Sequence, residues 1–228
     1  MSEASDAQRL ATFLLDLHGG DPYGAVYRAS HEHREAHGPE CGVYPSDPLK
    51  ARLLATLVHA TAARRLLEIG CGLGYSALWL ADAAGPDGRV EAIDRVPGHV
   101  ALARRHAADA GLAGHLNVIE GEGADVLPTL DGPYDLVHDE GWFGAEPPYF
   151  DRMLELLRPG GLLALSSWFL LEAAVTGGSD KDWSQFAGPD WAANVQAYAR
   201  KLAAHPKLHT SFVLRSWMYG LALAVKLP

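Results

Sequence analysis

Three glycines and an acid carry the first readable chemistry in this chain. Gly70, Gly72 and Gly74 lie in the stretch Arg-Leu-Leu-Glu-Ile-Gly-Cys-Gly-Leu-Gly-Tyr-Ser-Ala-Leu-Trp-Leu-Ala, residues 65 to 81. Leu66 to Ile69 is a short apolar run and predicts a buried strand; from Tyr75 the spacing turns helical, with Ala77, Leu78 and Ala81 on one side. A strand, a glycine turn and a helix start together make a nucleotide site, because glycine lets the backbone turn tightly and approach a ligand. The glycine spacing is G-x-G-x-G, one residue short of the dinucleotide pattern. Glu68 precedes the first glycine by two residues, and a carboxylate there repels a pyrophosphate but attracts an ammonium group. The ligand these residues favour is a nucleoside carrying a cationic amino acid, S-adenosylmethionine.

Further along, acids and a histidine stand at the ends of predicted strands. Asp94 closes the run Arg89 to Ile93; ligands of doubly wound sheets bind beyond the carboxyl ends of strands, where one carboxylate can accept both ribose hydroxyls. The alternative for Asp94 is a cap on the helix that starts after Pro97. Gly121, Glu122 and Gly123 follow a third strand and would border the adenine. A fourth strand ends on His138-Asp139-Glu140. Methyl transfer needs a nucleophile placed in line and, for a hydroxyl, a base. Histidine titrates nearest neutral pH, so His138 is the candidate base with Glu140 or Asp139 as its orienter. It could equally be a strand residue packed under the sheet. His31, His33 and His37 are rivals if the N-terminal segment folds over the site; their spacing does not put all three on one helix face, so a metal cluster is not expected.

The elements that must position these groups alternate in type, which predicts one α/β domain over residues 1 to 228. An N-terminal helix (5 to 17) and a lid-like extension reach residue 44, and the cofactor-binding core covers 45 to 228. The helix 5 to 17 carries Leu10, Phe13, Leu14 and Leu17 on one face, residues 21 to 46 read as irregular, and Asp47-Pro48 predicts a helix start. A strand over 162 to 165, a loop over 172 to 190, a helix over 191 to 204 and strands over 208 to 216 and 220 to 226 complete the chain. The net charge of −9 argues against a nucleic-acid partner. Cys41 and Cys71 give no disulfide framework, the first residues carry no basic-then-apolar leader, and Leu162 to Val175 falls short of a membrane span. The expectation is a cytoplasmic protein without a membrane partner.

The motif order resembles the class I S-adenosylmethionine-dependent methyltransferases, and more narrowly the catechol and caffeoyl-CoA O-methyltransferase family. The cues are Leu-Leu-Glu-Ile-Gly-Cys-Gly-Leu-Gly-Tyr-Ser, Ala-Ile-Asp, Val-Leu-Pro-Thr-Leu, Tyr-Asp-Leu-Val and Leu-Arg-Pro-Gly-Gly-Leu-Leu. The resemblance implies a Rossmann-like, doubly wound seven-stranded sheet, its last strand antiparallel, with helices on both faces. It also implies a homodimer, and the apolar face on residues 10 to 17 needs a partner surface, either a second copy or its own domain. The matched cofactor positions are Glu68, Gly70, Gly72, Tyr75, Ser76, Asp94, Gly121 and Trp142.

The departures bear on mechanism. The family motif Phe-Ile-Asp-Ala-Asp-Lys lines up on His138-Asp139-Glu140-Gly141-Trp142-Phe143. Glu140 then replaces the first metal-binding acid, Phe143 replaces the lysine that serves as base, and Ser166-Ser167 replaces an Asp-Asn metal pair. One carboxylate and two neutral hydroxyls are a poor set for a hard cation, so no metal ligands are expected. The expected activity is O-methylation of a small, aromatic acceptor without a metal, with Trp142, Phe143, Trp168, Trp183 and Phe186 as possible pocket residues. N- or S-methylation, or a binding protein that has lost catalysis, are the alternatives.

Overall fold

The computed structural model describes residues 6–141, 145–178, 182–213 and 220–228. Its elements run α1 (Asp6–Leu17), α2 (Gly24–His37), α3 (Pro48–Thr61), β1 (Arg65–Ile69), α4 (Tyr75–Ala84), β2 (Arg89–Asp94), α5 (Pro97–Asp109), β3 (Leu116–Glu120), α6 (Gly123–Val126) and β4 (Tyr134–Asp139). Then follow α7 (Phe150–Leu156), β5 (Leu157–Ser166), α8 (Phe169–Thr176), α9 (Ser184–Ala187), α10 (Trp191–Ala204), β6 (Leu208–Val213) and β7 (Leu221–Lys226). The apolar runs pair into one seven-stranded sheet, ordered β3-β2-β1-β4-β5-β7-β6. Strands β1 to β5 are parallel to their neighbours, while β7 inserts antiparallel between β5 and β6. The expected doubly wound, mixed sheet with an antiparallel last strand is the observed one.

Each face of the sheet is buried, which is why the central strands read as near-continuous apolar runs. One layer packs α3, α4 and α5 against Leu66, Ala92, Leu136 and Ala164. The other packs α7, α8 and α10 against Leu67, Ile93, Val137 and Leu163. Register sets what lies side by side. Glu68 pairs with His138, and His138 pairs with Ala164, so strand ends β1, β4 and β5 share one level.

Several boundaries differ from the sequence expectation. Residues 21 to 46, read as irregular, contain the helix α2. Its Tyr23 and Tyr27, four apart, reach α4: Tyr23 meets Trp79 edge-on at 5.8 Å and Tyr27 meets Tyr75 at 5.2 Å. Tertiary packing of that stripe, rather than local propensity, makes the segment helical. The stretch 172 to 190, read as a loop, overlaps α8 and holds α9. Strand β5 begins at Leu157, earlier than expected, and carries Pro159-Gly160-Gly161 as an irregularity in its pairing with β4. No helix among the described residues is long and apolar enough to cross a membrane.

Candidate functional site

The glycine turn leaves β1 and enters α4 as the sequence suggests. Gly70 has φ +81°, and a Cβ there would lie 2.5 Å from the Cα of Gly141, so the end of β4 passes where a side chain would stand. Gly72 is also in the left-handed region, at φ +54°, yet a Cβ there would meet nothing within 4 Å. Its glycine serves the turn and leaves an open face, the space a ligand would use. The N–H of Gly72 donates to Asp94 Oδ2 at 2.8 Å, which ties the turn to the end of β2. Asp94 Oδ1 accepts from Val96 N at 3.0 Å and faces His99 Nδ1 at 3.3 Å. Asp94 is not the cap of α5, whose N-cap is Val96 without a side-chain cap bond; it braces the approach to that helix, and two oxygens with about four lone-pair positions leave capacity for a further donor. Gly121 N donates to the Asp94 carbonyl at 3.0 Å, so Gly121 to Gly123 lie beside it. Glu122 is exposed, with Arg95 3.6 Å away. Ser76 sits buried in the first turn of α4.

Two expected cofactor contacts are corrected. The Tyr75 hydroxyl donates to Asp21 Oδ2 at 2.7 Å and its ring is buried under α2, so its side chain faces the N-terminal layer. Its place on α4 turns it there; only its backbone belongs to the turn. Glu68 has no solvent-exposed surface, and its Oε1 accepts from His138 Nδ1 at 2.8 Å. The cation it attracts is a side chain of its own sheet. Its Oε2 has no partner among the described residues. Trp142 and Phe143 lie outside the described residues.

A buried polar ladder runs from Glu68 across three strands to α3. His138 Nδ1 donates to Glu68, and its Nε2 lies 3.0 Å from Ser166 Oγ and 3.2 Å from Glu140 Oε2. Glu140 accepts from Lys50 Nζ at 2.8 Å on each oxygen; its Oε2 also accepts from Ser46 Oγ at 2.8 Å and Ser166 Oγ at 2.9 Å. Lys50 Nζ reaches Ser166 Oγ at 3.2 Å. Burial works against a charge on His138, but the hydrogen bonds and charges of Glu140 and Glu68 outweigh it and raise its pKa to about 9. Burial likewise opposes an ionised Glu140, and Lys50 with His138 still holds it well below the ordinary carboxylate range.

This geometry corrects the expectation for His138. It is fully buried, both ring nitrogens are engaged, and at neutral pH it already holds its proton. A group in that state cannot take a proton from an acceptor. Asp139 does not orient it, because successive strand residues point to opposite faces. Asp139 Oδ1 instead accepts from Gly141 N at 3.0 Å and Tyr149 OH at 3.2 Å in the other layer. His31, His33 and His37 lie on α2, where His33 stacks on His37 and meets His99 edge-on. Trp168 is core, packed on Tyr198 and Phe212. Sequence reasoning missed Lys50, although its signal was present. Lys50, Leu54 and Val58 fall four apart on the buried stripe of α3, so a lysine occupies an apolar position.

A sequence model of O-methyltransferases matches residues 42–227. The chain belongs to the O-methyltransferase family. It is similar to catechol O-methyltransferase of Mycobacterium tuberculosis (strain ATCC 25618 / H37Rv), with 37% identity over 119 residues, 52% of this chain and 54% of that one. It is similar also to catechol O-methyltransferase of Niastella koreensis, with 32% identity over 155 residues, 66% of this chain and 68% of that one. The match thus spans about half the length of the first of these relatives. Among solved structures, the O-methyltransferase TomG from Streptomyces achromogenes, in complex with SAM, superposes with a TM-score of 0.75 at 29% identity, covering 90% of each chain.

The divalent metal implied by the family resemblance does not fit the residues of this O-methyltransferase-family chain. The aligned donors are Glu140, Ser166 and Ser167, and the ammonium of Lys50 already contacts Glu140 and Ser166. A cation adjacent to that ammonium would meet repulsion where it needs anionic oxygen. Among the described residues no three His, Cys, Asp or Glu side chains are grouped to hold a metal ion.

Asp139 supplies a stability test. Burial pushes its pKa up to about 7, against the pull of Gly141 N–H, His138 and Tyr149. The sign follows from linkage: the unfolded chain ionises near pH 4, the folded one near 7, so ionisation costs folding free energy as pH rises between them. In Asp139→Asn the retained Oδ1 can still accept both hydrogen bonds. The variant is expected to be more stable than wild type by about 2–4 kcal/mol at pH 8, with the gap closing toward pH 4. Urea unfolding at both pH values measures this; a variant no more stable at pH 8 contradicts the account.

Proposed function

We propose that this chain is an S-adenosylmethionine-dependent O-methyltransferase of a small, aromatic acceptor that works without a bound divalent metal. The observation that carries the reading is the Gly72–Asp94 hydrogen bond, which joins an open glycine turn to an acid at the adjacent strand end, where a ribose could be held. When bound, the cofactor supplies a sulfonium methyl to an attacking oxygen in line with the departing sulfur. In this reading Asp94 accepts the ribose hydroxyls, and Gly121, Glu122 and Gly123 border the adenine. Gly70, Gly72 and Ser76, with the free N–H groups at the start of α4, receive the amino-acid end.

Proton accounting narrows the acceptor. His138 is already loaded and Glu140 is held ionised by Lys50, so neither removes a proton readily near neutral pH. An acidic hydroxyl fits best, and the same observation favours a thiol or amine acceptor as the second reading. The ring cluster of Phe169, Trp183 and Phe186, just beyond β5, supports an aromatic acceptor. A cytoplasmic setting remains part of the proposal, as does a homodimer through the exposed Leu10, Phe13 and Leu17 of α1.

Calorimetry with S-adenosylhomocysteine tests the cofactor assignment: Asp94→Ala is expected to bind about 10- to 100-fold more weakly than wild type. Unchanged affinity removes the ribose role. A panel of phenols, catechols, thiols and amines with labelled S-adenosylmethionine tests the acceptor class. Dialysis of the wild type against EDTA should leave its rate unchanged; a lost rate restored by Mg²⁺ refutes the metal-independent reading. Light scattering at micromolar concentration is expected to give twice the chain mass, and a monomer removes the dimer.

A further inference from the structure

Asp94 is held from three sides. Its Oδ2 accepts from Gly72 N at 2.8 Å and its Oδ1 from Val96 N at 3.0 Å. Both of these donors are backbone groups of the short connections on either side of the acid. The third is a side chain: His99 Nδ1 lies 3.3 Å from Oδ1. An ionised carboxylate offers only acceptors, so against one the imidazole nitrogen is the donor. His99 is the third residue of α5, and only 5% of its side chain is exposed. Burying a polar ring costs free energy unless it is hydrogen-bonded, and Asp94 is the partner the fold gives it. On its other side His33 of α2 meets the ring edge-on at 5.2 Å. The imidazole is thus held between the N-terminal layer and the acid at the end of β2.

We propose that His99 is a positioning residue for Asp94: it fixes the rotation of the carboxylate so that both oxygens stay available to the two ribose hydroxyls. The proposal rests on the reading of Asp94 as the ribose acid and names the side chain that prepares it. Holding a ribose through two oxygens needs the carboxylate in one plane, and a carboxylate free to turn about its last bond loses one contact when it keeps the other. Gly72 and Val96 tie Asp94 to its own connections. His99 ties it to α5, a helix packed against β2 and β3, and His33 backs the imidazole from α2. At 3.3 Å the bond is at the long end of the range, which sets a modest expected effect.

Calorimetry with S-adenosylhomocysteine on the whole chain reads that effect. His99→Leu and His99→Phe fill the space and remove the donor; His99→Asn keeps an N–H near the place of Nδ1. Each donorless variant is expected to bind about 3- to 10-fold more weakly than wild type, and His99→Asn within about 2-fold of it. In an Asp94→Ala background, His99→Leu should add no further loss, because the group it positions is gone. A purely structural role would weaken all three variants alike and would add to the loss from Asp94→Ala. Wild-type affinity in the donorless variants overturns the proposal. So does a His99→Asn variant as weak as they are, or an additive loss in the double variant. If only one donorless variant folds, that one decides; if neither folds, His99 is a core residue and the proposal fails. Wild-type affinity in Asp94→Ala alone defeats the ribose reading instead, so the two failures are distinguishable.

Discussion

The ion pair between Lys50 and Glu140 is the contact on which the ends of β4 and β5 and the start of α3 are arranged. It joins α3 to the end of β4, residues 90 apart in sequence, with Lys50 buried and Glu140 partly so. Burying two charges costs several kcal/mol each before any pairing is counted, so such a pair is poor evidence for added stability. Its consequence is geometric. With both partners present the charge is balanced; removing Glu140 strands the buried Lys50 ammonium, which costs about 3–5 kcal/mol in comparable cases, whereas Glu140 without Lys50 still has His138 beside it. The start of α3 is thus held against the sheet at one position, and Ser46 and Ser166 are drawn into the same cluster.

His138 extends that constraint to the cofactor side. Two carboxylates, Glu68 and Glu140, flank one imidazolium, and Lys50 supplies the second positive charge. The four groups neutralise one another within the layer. This explains how acids can stand in the middle of a sheet whose neighbours are Leu66, Leu136 and Ala164. It also accounts for the raised pKa of His138: the same partners that permit its burial favour its protonated form. Asp139, one residue on, has the opposite fate. It faces the other layer, lacks a lysine, and is pushed toward neutrality by burial.

The cofactor side follows a different logic, in which openness matters more than pairing. Gly70 is pressed against Gly141, so the strand ends are packed as closely as backbone allows; Gly72 faces nothing. Asp94 bridges the two conditions, bound to the turn through one oxygen and to the start of α5 through the other. A rigid turn with one open face is suited to receiving a ligand without rearranging.

The sequence alone determined what depends on local pattern and backbone chemistry. Apolar runs of strand length marked the central strands, three spaced glycines marked the turn, and Asp94 was placed at the end of the second strand. These signals are short-range, because a strand, a turn and a helix start are made by consecutive residues. The α2 helix was not legible, since it depends on Tyr23 and Tyr27 finding Trp79 and Tyr75. Nor were the roles of His138, Glu68 and Lys50. Residue type alone suggested a base for His138 and a cofactor contact for Glu68, and it did not single out Lys50. Only the parallel register of β1, β4 and β5, with α3 laid over it, decided that the three would share one buried network. The physical reason is that proton affinity and charge pairing belong to the environment of a group. That environment is assembled by contacts between residues 70 to 116 positions apart.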